Sequence, residues 1–443
     1  MSGGGPGSSS ILMGMTTGSG RLFFLLSICA FLFACGRSPQ PPVAPPPTLE
    51  EAETLGKMTR DATLIAFAQV ETVDSWKDRK DWKIVTLKLE KVLKGNAPKK
   101  ISLLDVKLFP GEADRFAPGE KALVFLRALP AYTAWRDVIL SGVGYSLLGK
   151  SKGLIEEGKE EIAHFVELFP KLPPASPEMR EFILKTLERN GTERLREDLS
   201  REIFDRDLFP FELRDEDLVR LGALVKQEDF PETGKKELVI GMAALPGDTS
   251  SRLLRDFFCL SPPSVCLKSA ETLETRGQPI SLEDYTRALS SASPGLRAGL
   301  LAILGRHHRV EALPLFEKYL KEEKGERNAA AMMEALGDLG DPKAVGLALS
   351  YADDPRYYLR AAVVVALGKL KSEEGIPALE KALKTSDPSL VALAAQALQR
   401  IGTTKAIQAL SRHFEKGHHG HWEPTEGPQH FLPEAPKNPP PTP

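Results

Sequence analysis

The chain has 443 residues, too many for one ordinary domain, and this length predicts two or three domains. Its composition, 42% hydrophobic and 27% charged residues, supplies enough apolar side chains for substantial cores. The 58 basic and 60 acidic residues leave a net charge of −2, so no overall positive field attracts nucleic acid. We therefore expect no nucleic-acid partner.

An unbroken apolar run, residues 22–34, lies near the N-terminus. Its thirteen residues fit the apolar core of a secretory signal peptide, whereas a transmembrane helix needs about 20 apolar residues. The pattern predicts an exported protein whose signal peptide occupies residues 1–35. The sequence leaves open whether translation starts at Met1, Met13 or Met15.

The apolar run ends in the segment Leu32-Phe33-Ala34-Cys35-Gly36. This segment resembles the lipobox of bacterial lipoproteins, although Phe33 is bulkier than the residue that the family usually has there. The resemblance implies that Cys35 becomes the mature N-terminus and carries acyl chains such as palmitate, which anchor the protein to the membrane. Gly36, rather than aspartate, implies the outer membrane on its periplasmic side. A cleaved secretory signal with an incidental cysteine is the alternative.

A proline-rich stretch, residues 36–49, follows the lipobox-like segment. Such a composition favours the extended polyproline II conformation and predicts a stiff linker. A linker in this place would hold a folded body away from the membrane surface, which agrees with a lipid anchor at Cys35.

Short apolar runs and period-two alternation follow the linker and predict a small β domain over residues 50–165. The predicted strands cover residues 62–70, 83–93, 101–106, 122–126 and 138–147. Five short strands with few helix signals favour a small barrel or sandwich.

Several turn and strand motifs of this region occur in a fixed order. They are Val92-Leu93-Lys94-Gly95, Pro118-Gly119-Glu120 and Leu123-Val124-Phe125-Leu126. This order, over residues 60–150, resembles a module of bacterial exported proteins whose OB-like barrel is related to the tissue inhibitors of metalloproteinases. Those inhibitors chelate zinc through a free N-terminal amine, whereas Cys35 would be acylated here. The resemblance thus implies a fold and not protease inhibition.

Three tryptophans, Trp76, Trp82 and Trp135, lie within the predicted β domain. An aromatic binding surface is one interpretation of them. We favour the other, in which these side chains fill the ends of the barrel, because no further feature marks a ligand site.

An Ala-Leu-Gly motif recurs at intervals of about 31 residues in the second half of the chain. Its copies are Thr272-Leu273, Ile303-Leu304-Gly305, Ala335-Leu336-Gly337, Ala366-Leu367-Gly368 and Ala397-Leu398. A helix start precedes each copy, at Pro263, Pro294, Gly325, Pro355 and Pro388, and second helices follow from the second copy onward. Two helices per period predict an α-solenoid, with the alanines in its core and the glycine letting the chain turn.

One repeat unit reads Asp354-Pro355, then Leu359-Arg360-Ala361-Ala362, then Ala366-Leu367-Gly368. This unit resembles a HEAT-like repeat of the short type first noted in phycobilin lyases. The resemblance implies a HEAT-like α-solenoid over residues 176–415, with 177–260 as degenerate repeats. We therefore predict a multidomain, mainly α protein: a small N-terminal β barrel or sandwich followed by a C-terminal HEAT-like α-solenoid.

Two motifs of common catalytic sites are missing from the sequence: it has no His-Glu-x-x-His and no Gly-x-Ser-x-Gly. We accordingly predict no catalytic residue and no cofactor. Cys259 and Cys266 flank a turn between predicted helices. In an oxidising compartment a disulfide between them would pin that turn, and two buried thiols are the alternative.

Histidines are concentrated near the C-terminus, where residues 416–443 form a His- and Pro-rich tail that we predict to be disordered. His418, His419 and His421 are candidate ligands of a transition metal. A disordered segment does not preorganise a metal site, which argues against this role.

Together these features predict a lipid-anchored scaffold of the cell envelope that binds an unidentified envelope protein through its repeats, without catalysis. We predict that exposed cations of the second helices carry the contacts: Lys318, Lys321, Lys381, Lys384 and Arg412. The alternatives are a bilin-lyase-like enzyme, implied by the repeat resemblance, and a metal-handling lipoprotein that uses the histidine tail.

Overall fold

The structure is a computed structural model, and it describes residues 54–77, 79–107, 113–130, 136–149 and 153–415. Several predicted features lie outside these residues: Cys35, the linker 36–49, Trp135 and the tail 416–443 with His418, His419 and His421. Among the described residues, no helix is both long enough and apolar enough to cross a membrane.

The first part of the described chain contains two short helices and six strands. These are α1 (Leu55–Asp61), β1 (Leu64–Trp76), β2 (Arg79–Lys94), β3 (Lys100–Val106), β4 (Lys121–Ala128), α2 (Arg136–Leu140), β5 (Val143–Leu147) and β6 (Leu154–Ile155). The strands pair in the order β1-β2-β3-β5-β4, and β1 also pairs with β4, so five strands close into a ring. Only the β3–β5 pairing of this ring is parallel.

The structure corrects one predicted strand. Residues 138–147 were expected to form a single strand, but α2 covers the beginning of that range and β5 begins at Val143. Val138 points into a small apolar cluster with Leu104 and Val143, and Trp76 and Trp82 pack against it. These two tryptophans therefore fill one end of the barrel, as we expected.

Strands β1 and β4 are buried on both of their faces. Leu64 and Val124 point into the barrel, whereas Ile65 and Phe125 point outward into a core that they share with the helices. This double burial explains why both strands are nearly continuous apolar runs instead of alternating patterns. The barrel and the helical region therefore share a common core.

The helical region comprises sixteen helices in the described chain. They are α3 (Lys159–Leu168), α4 (Pro177–Glu188), α5 (Glu193–Glu202), α6 (Asp215–Lys226), α7 (Glu232–Ala244), α8 (Asp248–Phe257), α9 (Pro263–Thr275), α10 (Leu282–Ser291), α11 (Pro294–Arg306), α12 (Leu313–Glu322), α13 (Glu326–Leu339), α14 (Ala344–Leu349), α15 (Tyr357–Leu370), α16 (Ile376–Leu383), α17 (Pro388–Ile401) and α18 (Thr404–Glu415). From α4 onward they alternate between two stacked layers. A small β barrel followed by an α-solenoid confirms the predicted fold class.

The two layers differ in how their members meet. Helices α5, α7, α9, α11, α13, α15 and α17 pack each directly on the next, and we call them the first-helix layer. The even-numbered helices from α4 to α18 form the second-helix layer. From α8 to α16 neighbours in this second layer barely touch.

The helix starts follow the predicted capping pattern with one exception. Ser293 and Asp387 accept hydrogen bonds from backbone N–H groups in the first turn, and proline follows each of them as the first helical residue. Asp354 was expected to cap the helix of the next-to-last repeat in the same way. Instead it binds Arg356, which is the N-cap residue, and α15 begins at Tyr357.

The motif glycines have a different role from the one predicted. Gly305, Gly337 and Gly368 lie inside their helices rather than at a turn. A Cβ atom on Gly337 would lie 2.7 Å from the Cα of Ala366, and one on Gly368 would lie 2.8 Å from the Cα of Ala397. These glycines therefore let neighbouring first helices approach closely, which is what the 31-residue period preserves.

Two carboxylates of α5 hold the first turn of α1 against the repeat array. Asp198 accepts a hydrogen bond from the backbone N–H of Leu55 at 3.2 Å. Glu202 accepts hydrogen bonds from the backbone N–H groups of Gly56 and Lys57, at 3.2 and 3.0 Å. These N–H groups have no partner within their own helix, so the carboxylates satisfy them and tie α1 to α5.

Burial raises the pKa of Glu202 to about 7. Hydrogen bonds that Thr54 and Lys57 donate to the carboxylate oppose this shift, and the nearby charge of Asp198 adds to it. Loss of hydration is the largest of these effects, since only 2% of the residue is exposed.

Candidate protein-interaction surface

The first-helix layer bends the repeat array. Small residues let α11, α13, α15 and α17 approach each other closely, whereas the second helices beside them stand apart. An array whose layers differ in spacing is expected to bend toward the closer-packed layer, so we infer that the open side of the first helices is its concave face. We call this open side the inner face.

The floor of the inner face consists of small apolar side chains. They occupy the partly or fully exposed stripe of each first helix: Gly299 and Ala302 on α11, Ala331 on α13, Ala361 and Val365 on α15, and Ala392 on α17. Tyr358, which is 40% exposed, stands at the start of the α15 stripe. Small residues recur at these positions on four neighbouring first helices, and such positions allow another polypeptide to approach the helices closely.

Ion pairs that cross from one repeat to the next border this floor. Glu271 of α9 binds Arg306 and His307 at the end of α11, with 3.1 Å between its carboxylate and His307 Nε2. Lys369 of α15 lies 2.8 Å from the carboxylate of Asp338 on α13. Because each pair contains both signs, the border adds little net charge to the inner face.

The electrostatics of the border differ from one repeat to the next. Burial on its own would raise the pKa of Glu271, but hydrogen bonds from Arg306 and His307 outweigh it and lower that pKa. Burial raises the pKa of Glu334, which neighbouring Lys369 only partly offsets. The surroundings of Glu334 therefore disfavour its charged form, in contrast to those of Glu271.

Four of the five cations predicted as contacts lie on second helices, and Lys384 directly follows α16. Three of the five are engaged within the array. Lys318 lies over the ring of Tyr319, with its Nζ 4.8 Å from the centroid. Lys381 and Arg412 form ion pairs with acidic residues of neighbouring segments, at 2.6 and 2.7 Å. Lys321 and Lys384 are exposed and have no ion pair in the part of the chain that the structure describes.

Two of these cations line a shallow cleft of about 350 Å³ at the last repeats. Its walls come from α16, α17 and α18: Glu380, Leu383, Lys384, Thr385, Val391, Ala409, Arg412 and His413. The ion pair between Arg412 and Glu380 neutralises part of its charge.

Cys259 and Cys266 are free thiols in the structure. Cys266 is buried, as one alternative expected, whereas Cys259 is exposed. The backbone N–H of Cys259 donates a hydrogen bond to Cys266 Sγ at 3.1 Å. The structure thus brings together the two residues that the sequence singled out, in unbonded form.

No group of three histidine, cysteine or acidic residues is arranged to hold a metal ion within the described ranges. The three candidate ligands of the tail, His418, His419 and His421, lie beyond those ranges, so their role stays a prediction.

Residues 346–420 match the family model of HEAT repeats. The matched segment covers the last repeats of the array, including the unit that resembled a short HEAT-like repeat. The HEAT-like character of the repeats is thereby confirmed. No curated protein matches the chain.

Similar solved structures include an engineered protein, a lyase complex and a designed repeat protein. An engineered protein solved by the Northeast Structural Genomics Consortium is 15% identical, with 58% of this chain and 78% of that chain covered and a TM-score of 0.33. The complex of CpcE and CpcF of phycocyanin lyase from Nostoc is 15% identical, with 55% and 96% covered and a TM-score of 0.28. A designed armadillo repeat protein is 16% identical, with 50% and 98% covered and a TM-score of 0.24. With TM-scores this low, these likenesses carry no argument about function.

The sequence did not reveal the inner face as a surface. All alanines of the motif were assigned to the core, but only one side of each first helix is closed: Ala362 is buried, whereas Ala361 is partly exposed. The signal was present in the helical stripe that includes Ala331, Glu334 and Asp338, which are spaced by three and four residues.

Proposed function

We propose that this protein is a lipid-anchored scaffold of the cell envelope that binds a protein partner along the inner face, without catalysis. The observation that carries the proposal is the set of small, partly or fully exposed residues that recurs on the four neighbouring first helices α11, α13, α15 and α17. Solenoids of this kind use extended concave surfaces to bind other polypeptides.

The chemistry of the inner face selects the partner by shape and apolar contact. Its floor is apolar, and its bordering charges are paired with each other across repeats. The matching partner is a protein segment, helical or extended, that presents apolar side chains along several repeats. We expect its affinity to change little with salt, because few unpaired charges take part.

Cross-linking of the full chain in intact cells, followed by mass spectrometry, tests the binding proposal. The variant Ala331→Lys/Val365→Lys places two long cations on the floor, where they remain hydrated, and should abolish a partner seen with the unaltered chain. The matched variant Lys321→Glu/Lys384→Glu changes two charges on the second helices and should retain it. Thermal unfolding of both variants shows whether the array is intact. Loss of the partner only in the second variant would contradict the proposal and favour the second helices.

Anchoring through Cys35 is the second part of the proposal, and the lipobox-like segment with its proline-rich linker supports it. The described structure begins shortly after that linker, where α1 is held by Asp198 and Glu202. The hydrogen bonds that attach α1 to α5 would hold the N-terminal end of the folded body in place next to a membrane anchor.

Metabolic labelling with alkyne-palmitate tests the anchor. Cys35→Ser should lose both the label and the membrane association of the protein. Cys29→Ser alters a cysteine of the same apolar segment and should change neither. Labelling that persists in Cys35→Ser would contradict the proposed site.

For the barrel we propose an OB-like fold. Its five-stranded ring, in the order β1-β2-β3-β5-β4 with parallel β3 and β5, supports this relation. The relation concerns the fold alone, because an acylated Cys35 would provide no free amine for a protease zinc.

Two alternatives stay predictions with tests of their own. A bilin-lyase-like activity predicts that a chromophore is purified with the protein, covalently bound or tightly held. A metal role for the histidine tail predicts zinc or copper binding that disappears when residues 416–443 are removed, as calorimetry can show. Equal binding with and without the tail would exclude that role.

A further inference from the structure

The two cysteines of the folded body meet at the step between α8 and α9. Cys259 lies two residues after the end of α8, and Cys266 lies in the first turns of α9. The backbone N–H of Cys259 donates to Cys266 Sγ at 3.1 Å, and the two thiols hydrogen-bond to each other. Six residues separate the two cysteines, and the last three of these already belong to α9.

The backbone at Cys259 keeps this arrangement in place. Its φ angle is +72°, in the left-handed region that residues other than glycine rarely adopt. This conformation turns the chain back toward α9 directly after α8 and aims the N–H of Cys259 at Cys266. The strained backbone at Cys259 therefore supports a defined geometry of the cysteine pair, rather than two thiols that lie near each other by chance.

The two sulfur atoms differ in access and in acidity. Cys259 is exposed, whereas Cys266 is fully buried. Hydrogen bonds from the thiol and from the backbone N–H of Cys259 lower the pKa of Cys266 despite its burial. The hydrogen bond between the two thiols raises the pKa of Cys259. An external reagent can reach only Cys259, and Cys266, the more acidic thiol, forms the thiolate more readily inside the protein.

We propose that Cys259 and Cys266 are a dithiol site that an external disulfide converts into an intramolecular disulfide. The exposed Cys259 thiol loses its proton to water and attacks the external disulfide, which forms a mixed disulfide and releases one thiolate. Cys266 then loses its own proton to water and attacks the Cys259 sulfur. The protein ring closes, and the second half of the external disulfide leaves as a thiolate.

The balance of the reaction is simple. The protein loses two protons and two electrons, and the external disulfide is reduced to two thiolates. An exported protein meets such oxidants in its compartment, and oxidised glutathione serves as the probe in solution. The disulfide would link the end of α8 to the start of α9, where the regular repeats begin. The formation of this disulfide does not depend on a partner at the inner face.

Peptide mapping of the full chain tests this site directly. Trypsin releases residues 256–268 as one peptide that contains both cysteines, because Arg255 and Lys268 bound it. After incubation with oxidised glutathione and alkylation of free thiols, we expect this peptide unlabelled and lighter by two hydrogen atoms. Reduction before alkylation should give two labels. Two labels without reduction, or glutathione retained on Cys259, would overturn the proposal.

Two variants separate the steps. Cys266→Ser removes the internal nucleophile and should accumulate glutathione on Cys259. Cys259→Ser leaves only the buried cysteine and should take up neither glutathione nor, in the folded protein, an alkylating reagent. Glutathione on Cys266 in Cys259→Ser would contradict the order of the reaction. Ring closure in the unaltered chain should also raise Tm by about 4 °C or more, because it restricts the unfolded chain.

Discussion

The two layers of the repeat array are stabilised by different means. In the first-helix layer, glycine and alanine let helix backbones approach each other, as at Gly337 and Ala366. In the second-helix layer the helices from α8 to α16 stand apart, and exposed ion pairs such as Lys381 of α16 with Asp353, in the segment after α14, link neighbouring repeats. Close packing is sensitive to every added atom, whereas exposed ion pairs contribute little. Substitutions in the first-helix layer should therefore disturb the geometry of the array, whereas substitutions in the second-helix layer should be tolerated.

Replacing one glycine of each layer by alanine should change the free energy of unfolding in opposite directions. Gly337→Ala should lower the free energy of unfolding by about 1–3 kcal/mol, since its Cβ would lie 2.7 Å from the Cα of Ala366. Gly346→Ala in α14 should raise that free energy by about 0.5–1 kcal/mol, because the position is open and alanine favours helix. Urea denaturation followed by circular dichroism measures both. Equal effects would refute the difference between the layers.

A second prediction concerns the attachment of the barrel to the first-helix layer. The pKa of Glu202 is raised from 4.5 to about 7 in the folded protein, so folding is favoured by protonation. This contribution is complete below about pH 4.5 and is lost as the pH rises through about 7. Between pH 5 and pH 8 the protein should lose about 2–3 kcal/mol of stability from this group.

The variant Glu202→Gln isolates that effect. The amide keeps an acceptor for the N–H groups of α1 but does not titrate, so the stability of this variant should vary less between pH 5 and pH 8. Glu283→Gln, at a side chain that is 87% exposed, is the control and should keep the original pH dependence. An unchanged profile in Glu202→Gln would show that this carboxylate does not govern the attachment.

The smallest expected effects come from the ion pairs. A double-mutant cycle of Lys381 and Asp353, both mostly exposed, should give a coupling of about 0.2–0.5 kcal/mol that falls with added salt. The cycle of Lys369 and Asp338, which are less exposed and border the inner face, should give about 1 kcal/mol. A larger coupling in the second-helix pair would contradict the ranking of the layers.

Periodicity explains what the sequence could predict. The 31-residue interval and the prolines at helix starts located α9, α11 and α17, because both signals are local. The role of Gly337 was missed, since a glycine near a helix end looks the same whether it ends a helix or contacts the next repeat. Only the distance to Ala366 distinguishes these roles.

Long-range contacts explain what the sequence could not predict. Glu202 binds the first turn of α1 across about 146 positions of sequence, and no local pattern marks that pairing. The core that the barrel shares with the helices is likewise formed by residues far apart in the sequence. The apolar runs of β1 and β4 showed that both faces of these strands are buried, but not that Ile65 and Phe125 meet helices.

Photo-cross-linking from single positions tests most directly whether the inner face is the docking surface. A photoreactive residue would replace Ala302, Ala331 or Ala361 on the floor, or Lys318, Lys321 or Lys384 on the second helices, in the full chain in cells. We predict that partner adducts form from the three floor positions and not from the three second-helix positions. Adducts confined to the second helices, or formed from neither set, would contradict the account.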